Sequence, residues 1–267
     1  MKPLILITND DGVYSPGLWA VAEAVQELGD LLIVAPMFQQ TGMGRSLPKD
    51  GSVGIIKKVK IIVNGRKIDA FGVYGSPALA VSHGVLELTD RKPDLCISGI
   101  NYGENLGLSL TCSGTLGAAF EADSHGIPSI AVSREVDLSI QHSHEYKSMD
   151  WEAAKNVTKQ IAREVLKSGF PDGVRILNIN VPDSATCKTE VRFTTQSRNS
   201  HSVFIRPEKR DLGTSYILKS KLDVDIEKTE KCSDIYAFLF DKVISITPLT
   251  CDLSTKIKWN IDGLDFK

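Results

Sequence analysis

Short apolar runs alternate with helical repeats through residue 181, and this alternation limits the possible folds more than any other feature of the chain. Residues 4–8 form a continuous apolar run, as expected for a strand that is buried on both faces. Residues 17–28 carry apolar side chains at helical spacing, and a second apolar run follows at 31–35. This order predicts a βαβ unit with parallel strands and a right-handed crossover.

The same alternation continues along the chain. It predicts further strands at residues 59–63, 68–73, 95–99, 128–133 and 176–181, and further helices at residues 77–88, 114–125 and 151–166. Beyond residue 185 the pattern changes, and we expect strands or hairpins at 190–195, 214–222 and 234–247. We therefore predict an α/β fold, a three-layer α/β/α Rossmann-like sandwich with a mostly parallel sheet. Residues 1–185 would form its core and residues 186–267 a β-rich extension within one structural domain.

Charge and composition restrict the partners and the location of the protein. The 267 residues include 31 Lys and Arg against 33 Asp and Glu, a net charge of −2, which gives no electrostatic reason to bind duplex nucleic acid. The five cysteines contain no CxxC pair, as is typical of reduced thiols in a cytoplasmic protein. The apolar N-terminal stretch runs straight into acidic residues, so we expect neither a signal peptide nor a membrane span.

Polar residues follow three of the predicted strands where each strand ends. Asp10 and Asp11 follow the first strand, Thr41 lies in the loop after the second, and Asn101 follows the strand at 95–99. Ligands of open parallel sheets bind beyond the carboxyl ends of the strands. Because adjacent carboxylates repel each other unless a cation or proton lies between them, the pair predicts a hard divalent cation, with Asn101 and Thr41 as neutral ligands. The alternative is that Asp10 or Asp11 only caps the turn before the first helix.

A second candidate feature is the segment Ser113, Gly114 and Thr115 at the start of a predicted helix. Small residues let a ligand approach the backbone, and the N–H groups of a first helical turn favour an anion. This pattern suggests a phosphate site, although an ordinary capped helix has the same sequence features. His142 and His144 form an HxH pair that could bind a transition metal, but a solvated loop is the simpler interpretation.

Several motifs together resemble one known family. TNDDG at 8–12, SGIN at 98–101 with Gly103 and Asn105, SGT at 113–115 and SITPL at 245–249 resemble the SurE family of survival-protein nucleotidases. The resemblance implies metal-dependent hydrolysis of nucleoside monophosphates, as a 5'-nucleotidase with 3'-nucleotidase and exopolyphosphatase activity as further possibilities. It also implies a homodimer or homotetramer in which the C-terminal arm is exchanged between subunits.

The resemblance also implies roles for individual residues. One divalent cation per subunit, Mg²⁺ or Mn²⁺, would be held by metal ligands at Asp10, Asp11, Thr41 and Asn101. Asp10, Asp11 and Asn101 would be catalytic, and the substrate-binding set would be Asn9, Asn105, Ser113, Gly114 and Thr115. The sequence departs from the family pattern at several positions, where Thr41 replaces the usual Ser, Met37 an Asp, and Cys112 an aromatic residue or His.

We hypothesise that a metal-activated water attacks the phosphate while Asp10 or Asp11 accepts its proton. A phosphorylated Asp intermediate is the mechanistic variant. A phosphoacceptor receiver domain shares the acidic pair, but that fold is about half as long and needs an Asp where Asn101 stands. The other alternative is a non-catalytic nucleotide- or metal-binding module.

Overall fold

The computed structural model describes residues 1–49, 51–137, 146 and 148–254. Nine strands form one sheet, and two further strands, β9 and β10, form a separate antiparallel pair. The strands are β1 Leu4–Thr8, β2 Asp30–Pro36, β3 Ile56–Val63, β4 Arg66–Val73, β5 Leu95–Tyr102, β6 Ser129–Arg134, β7 Ile176–Val181, β8 Val191–Phe193, β9 Ser202–Phe204, β10 Ser220–Leu222 and β11 Ile244–Leu249. The order in the large sheet is β3-β4-β2-β1-β5-β6-β7-β11-β8.

Helices cover both faces of this sheet, which confirms the predicted three-layer fold. They are α1 Pro16–Val25, α2 Pro77–Glu87, α3 Gly114–Ser124, α4 Glu152–Ser168 and α5 Asp234–Leu239. Strand β1 shows why the layers form, because its side chains alternate between two cores. Ile5 and Ile7 pack with α1 and α4 on one face, and Leu4 and Leu6 pack with α2 and α3 on the other. A strand apolar at every position is thereby buried on both sides.

The central strands are parallel, and their carboxyl ends meet at one edge. Strand β1 pairs in parallel with β2 on one side and with β5 on the other. The chain leaves β1 toward β2 and later returns to β5, so the strand order reverses at β1. Crevices at such a reversal are where open α/β sheets bind ligands. The residues that follow β1 therefore occupy the expected ligand position.

The C-terminal part departs from the prediction in two respects. The expected strand or hairpin at 214–222 is a strand only in β10 at its end, and β10 pairs with β9. The expected strand or hairpin at 234–247 is wrong for its first half, where α5 forms, and β11 follows it. Ser233 explains the helix, because its hydroxyl accepts a hydrogen bond from the N–H of Tyr236 at 3.2 Å and caps the first turn. Strand β11 pairs antiparallel with β7, so the sheet continues past residue 185. The boundary at that residue stays a prediction.

None of the described helices is long and apolar enough to cross a membrane.

Candidate active site

Two neighbouring carboxylates lie buried at the carboxyl end of β1. Asp10 and Asp11 are only 3% and 1% exposed, respectively. The loop after β2 contacts them through Gln40, whose N–H donates to the carbonyl oxygen of Asp10 at 2.7 Å. Because β1 is flanked by β2 and β5, the loops after these strands can all reach the pair.

Asp10 faces the start of α3. The hydroxyl of Thr115 donates to Oδ1 of Asp10 at 2.7 Å. Gly114 packs so closely that an added Cβ would lie 2.7 Å from Cβ of Asp10 and 2.8 Å from its Oδ2. The structure thus brings together the acidic pair and the SGT segment, which the sequence placed more than 100 residues apart. It also gives a physical reason for glycine at position 114.

Asp11 is held by groups that sequence reasoning missed. The backbone N–H of Tyr102 donates to Oδ2 of Asp11 at 3.2 Å, and the amide of Gln39 donates to Oδ1 at 3.5 Å. The hydroxyl of Tyr146 donates to the backbone carbonyl of Asp11 at 2.7 Å. The backbone donor could not have been found from residue type, whereas Gln39 lies in the strand-end loop that also carries Thr41 and could have been considered.

The electrostatics of the pair are unfavourable in the protein alone. Burial raises the pKa of Asp10 to about 6, against the opposing effect of the hydrogen bond from Thr115. Burial, followed by the charge of Asp10, raises the pKa of Asp11 well above its usual value. Among the described residues, no Lys, Arg or His forms an ion pair with either carboxylate. A buried acidic pair without a cationic side chain fits a site for a bound cation.

The two predicted neutral ligands belong to the two neighbouring strands of β1: Asn101 lies near the end of β5, and Thr41 lies in the loop after β2. The amide nitrogen of Asn101 donates to the carbonyl of Gly103 at 2.6 Å, which leaves its Oδ1 available as an acceptor. Asn101 stands where the pairing of β5 with β6 shifts register after Ser98. Thr41 is exposed in a turn directly after Gln40. Within the described ranges its side chain makes no hydrogen bond to Asp10 or Asp11.

Three of the predicted substrate-binding residues have local partners. Asn9 exchanges two hydrogen bonds with the backbone of Gly12, both of 3.1 Å, and so holds the turn after Asp11. Ser113 caps α3 by accepting from the N–H of Leu116 at 3.2 Å. The side-chain amide of Asn105 donates to the hydroxyl of Ser133 at 2.8 Å. The roles of these residues toward a substrate stay predictions.

Asn105 is also the centre of a buried network from β7. Its N–H donates to Oδ1 of Asn180 at 2.7 Å. Its carbonyl accepts from the amides of Asn178 at 2.9 Å and Asn180 at 3.0 Å. Sequence reasoning treated β7 only as an apolar strand. Two asparagines at alternate positions in a buried strand were the available signal, because buried amides require partners.

The donor set indicates which kind of metal would fit. In the described part of the chain, no three His, Cys, Asp or Glu side chains come together as a metal cluster. A cation near Asp10 and Asp11 would therefore add neutral oxygens such as that of Asn101, a set that suits Mg²⁺ or Mn²⁺. The HxH pair of His142 and His144 lies outside the described residues.

Fold and site together define a Rossmann-like α/β protein with an acidic centre at the carboxyl edge of its parallel sheet. Comparison with known proteins agrees with this class. The family model described as survival protein SurE matches residues 5–203, and the chain belongs to this family.

The chain is similar to curated relatives and to a solved structure over nearly its whole length. It is 37% identical to the 5'-nucleotidase SurE of Thermococcus kodakarensis over 257 residues, which cover 96% of this chain and 95% of that protein. It is 43% identical to the 5'-nucleotidase SurE of Methanothermobacter thermautotrophicus over 79% of this chain and 80% of that protein. The crystal structure of the SurE protein from Aquifex aeolicus superposes with a TM-score of 0.72 at 31% identity, covering 94% of this chain and 95% of that one.

Proposed function

We propose that this protein is a 5'-nucleotidase, a phosphoric monoester hydrolase that cleaves nucleoside monophosphates to nucleoside and phosphate. The observation that carries the proposal is the buried pair Asp10 and Asp11 beside the first turn of α3. Its relatives in Thermococcus kodakarensis and Methanothermobacter thermautotrophicus are named 5'-nucleotidase SurE. The phosphate ester would bind at the carboxyl edge of the sheet, where open α/β sheets bind their ligands.

The residues that would hold one Mg²⁺ or Mn²⁺ per subunit are Asp10, Asp11, Asn101 and Thr41. When bound, a divalent ion supplies polarisation of a phosphoryl oxygen and a water of lowered pKa. The buried position of the acidic pair strengthens this binding, because opposite charges attract more strongly where water is excluded.

The remaining chemistry belongs to the protein's own groups. The backbone N–H groups of Gly114 and Thr115 begin α3, where the helix dipole favours phosphate oxygens. The Thr115 hydroxyl orients the Asp10 carboxylate through their 2.7 Å hydrogen bond. Asp10 or Asp11 then accepts the proton of the attacking water. Asn9, Asn105 and Ser113 complete the proposed substrate-binding set by holding the turns around it.

The finer properties are also proposals. The exposed apolar side chains of the C-terminal part support a homodimer or homotetramer formed through residues 186–267. The balanced charge supports small anionic substrates rather than duplex nucleic acid, and we propose a cytoplasmic enzyme without a membrane partner. Cleavage of 3'-nucleotides and of polyphosphate would use the same acidic pair. The alternative function is a non-catalytic nucleotide- or metal-binding module.

Incubation of AMP with the protein and Mn²⁺, followed by measurement of free phosphate, tests the proposed function. We expect phosphate release that stops when EDTA is added. Release no greater than in the metal-free control would sink the enzyme proposal in favour of the binding module. Acid quenching during turnover separates the two mechanisms. Recovery of a phosphorylated Asp would support the covalent intermediate, and its absence would favour direct attack by water.

A further inference from the structure

Two aromatic side chains and one lysine are in contact at the carboxyl edge of the sheet, and a third aromatic side chain follows β1 at the same edge. They are Tyr14 in the loop after β1, Phe38 after β2, Tyr74 directly after β4, and Lys57 on β3. We call this set the aromatic wall. Phe38 is 60% exposed and Tyr14 is 43% exposed, so the wall presents apolar ring surface to solvent. No role proposed so far uses any of these side chains.

Contacts between the side chains give the wall a defined shape. The rings of Phe38 and Tyr74 meet edge to face, with centroids 5.6 Å apart at an interplanar angle of 89°. Lys57 places its Nζ 5.1 Å from the centroid of the Tyr74 ring. Both are geometries in which aromatic rings attract their neighbours. The Tyr74 ring is therefore held by contacts on the protein side, while Phe38 remains 60% exposed.

The backbone on either side of Phe38 is anchored, so its exposure does not come from a loose loop. Before it, Met37 donates its N–H to the carbonyl of Val73 at 2.7 Å. After it, Gln40 donates to the carbonyl of Asp10 at 2.7 Å. A Cβ built on Gly12, which has φ +104°, would lie 3.3 Å from the carbonyl carbon of Phe38. The wall is thus directly continuous with the turn that carries the carboxylates.

We propose that the aromatic wall, through Phe38 first, stacks the nucleobase of the substrate and so favours nucleoside monophosphates over phosphate esters without a base. This inference rests on the proposed function. A nucleobase is the expected occupant because the wall borders the site of phosphate cleavage, and a nucleotide extends from its phosphate by one sugar to a flat ring. Stacking on an aromatic side chain suits every base, because every base has a π-face.

The test compares Phe38→Ala with the unchanged protein on AMP and on ribose 5-phosphate, which lacks the base. Loss of one stacking aromatic costs about 1–3 kcal/mol, so we expect the KM for AMP to rise on the order of tenfold with kcat nearly unchanged. The kcat/KM for ribose 5-phosphate should stay within about twofold of its original value. Phe38→Trp should restore the KM for AMP. Leu86→Ala is the matched control, because it removes an apolar side chain that is 70% exposed near the end of α2. It should change neither the KM for AMP nor the kcat/KM for ribose 5-phosphate.

Adenosine binding, measured by ligand-observed NMR, gives a second test that needs no turnover. We expect Phe38→Ala to weaken adenosine binding by a similar factor. An unchanged KM for AMP, or an equal loss on both phosphate esters, would overturn the stacking proposal while leaving the nucleotidase proposal intact. If the unchanged protein releases no phosphate from AMP, the proposed function fails. The NMR measurement then decides alone, with weaker adenosine binding supporting the wall as a base site and equal binding refuting it.

Discussion

The carboxyl edge around β1 and the β9–β10 hairpin differ in which kind of side chain they bury and which they expose. At the edge, charged groups are buried, with Asp11 only 1% exposed. In the hairpin region, large apolar groups face solvent, with Phe204 73% exposed and Ile217 88% exposed. Burial of an unpaired charge and exposure of apolar surface are both unfavourable. Two of our proposals would account for these arrangements, a bound cation and substrate at the edge and a second subunit at the hairpin.

The largest expected effect comes from Asp10→Asn at the edge. Loss of one carboxylate removes a proposed metal ligand, and metal stabilisation of the transition state amounts to several kcal/mol. We expect the nucleotidase rate to fall about a thousandfold or more, measured as phosphate release from AMP with Mn²⁺. The free energy of unfolding should stay equal or rise, because one of two neighbouring buried negative charges is removed.

Asp30→Asn is the matched control for that substitution. Asp30 begins β2 at the opposite edge of the sheet, where its exposed carboxylate pairs with Arg91 at 3.0 Å. Exposed ion pairs contribute about 1 kcal/mol or less, so both activity and stability should change little. Full activity in Asp10→Asn would remove the hypothesis that this edge binds a catalytic cation.

The second effect concerns the network that supports the edge. In Asn180→Ala, the N–H of Asn105 loses its acceptor in a buried position, and the carbonyl of Asn105 keeps only the amide of Asn178. A buried unsatisfied group costs about 1–3 kcal/mol, in addition to the lost hydrogen bonds. We expect a drop in Tm of about 5–10 °C in a thermal scan, together with lower activity, since Asn105 lies in the loop directly after β5, the strand that carries Asn101. Gln160→Ala on the exposed side of α4 should leave Tm within about 1–2 °C.

The fold was largely predictable because its signals are local. Apolar runs and helical repeats gave each element of the core, since a strand buried on both faces is apolar at every position. Helix α5 was missed because Ile235, Tyr236 and Phe238 favour strands by propensity. The cap formed by Ser233 and Tyr236 decides the conformation instead. Propensity is a weak guide where a cap and tertiary packing compete with it.

The position of the candidate site was predictable only where the residue type itself indicates a chemical role. Asp10, Asp11 and the SGT segment follow from residue type and from their positions at element ends. The contact of Gly114 with Asp10 required knowledge of how α3 packs beside β1. The N–H of Tyr102, which donates to Asp11, leaves no trace in the sequence, because every residue except proline carries the same donor.

The third effect tests the close approach of α3 to the acidic pair. Gly114→Ala places a methyl group 2.7 Å from Cβ of Asp10, well inside normal contact distance. Asp10 or the first turn of α3 must shift by a fraction of an ångström, and misplacements of about 1 Å can cost a hundredfold in rate. We expect kcat/KM for AMP to fall about 10- to 100-fold with the far-UV circular dichroism unchanged. Gly213→Ala in the C-terminal part is the control, and an equal loss there would show that the effect is not local to the site.

Phe204→Glu combined with Ile217→Glu should have the smallest effect on the folded chain. This double substitution tests whether a second subunit covers the apolar side chains of the hairpin region. Because both side chains are largely exposed, the substitutions should cost the single chain less than about 0.5 kcal/mol each. If a second subunit covers them, two buried negative charges per chain would oppose association. We expect light scattering to show a smaller native mass than that of the unchanged protein, while Leu86→Glu on α2 leaves the mass unaltered. A monomeric mass for the unchanged protein would refute the proposed subunit contact, since no second subunit would then cover the exposed apolar side chains of the hairpin.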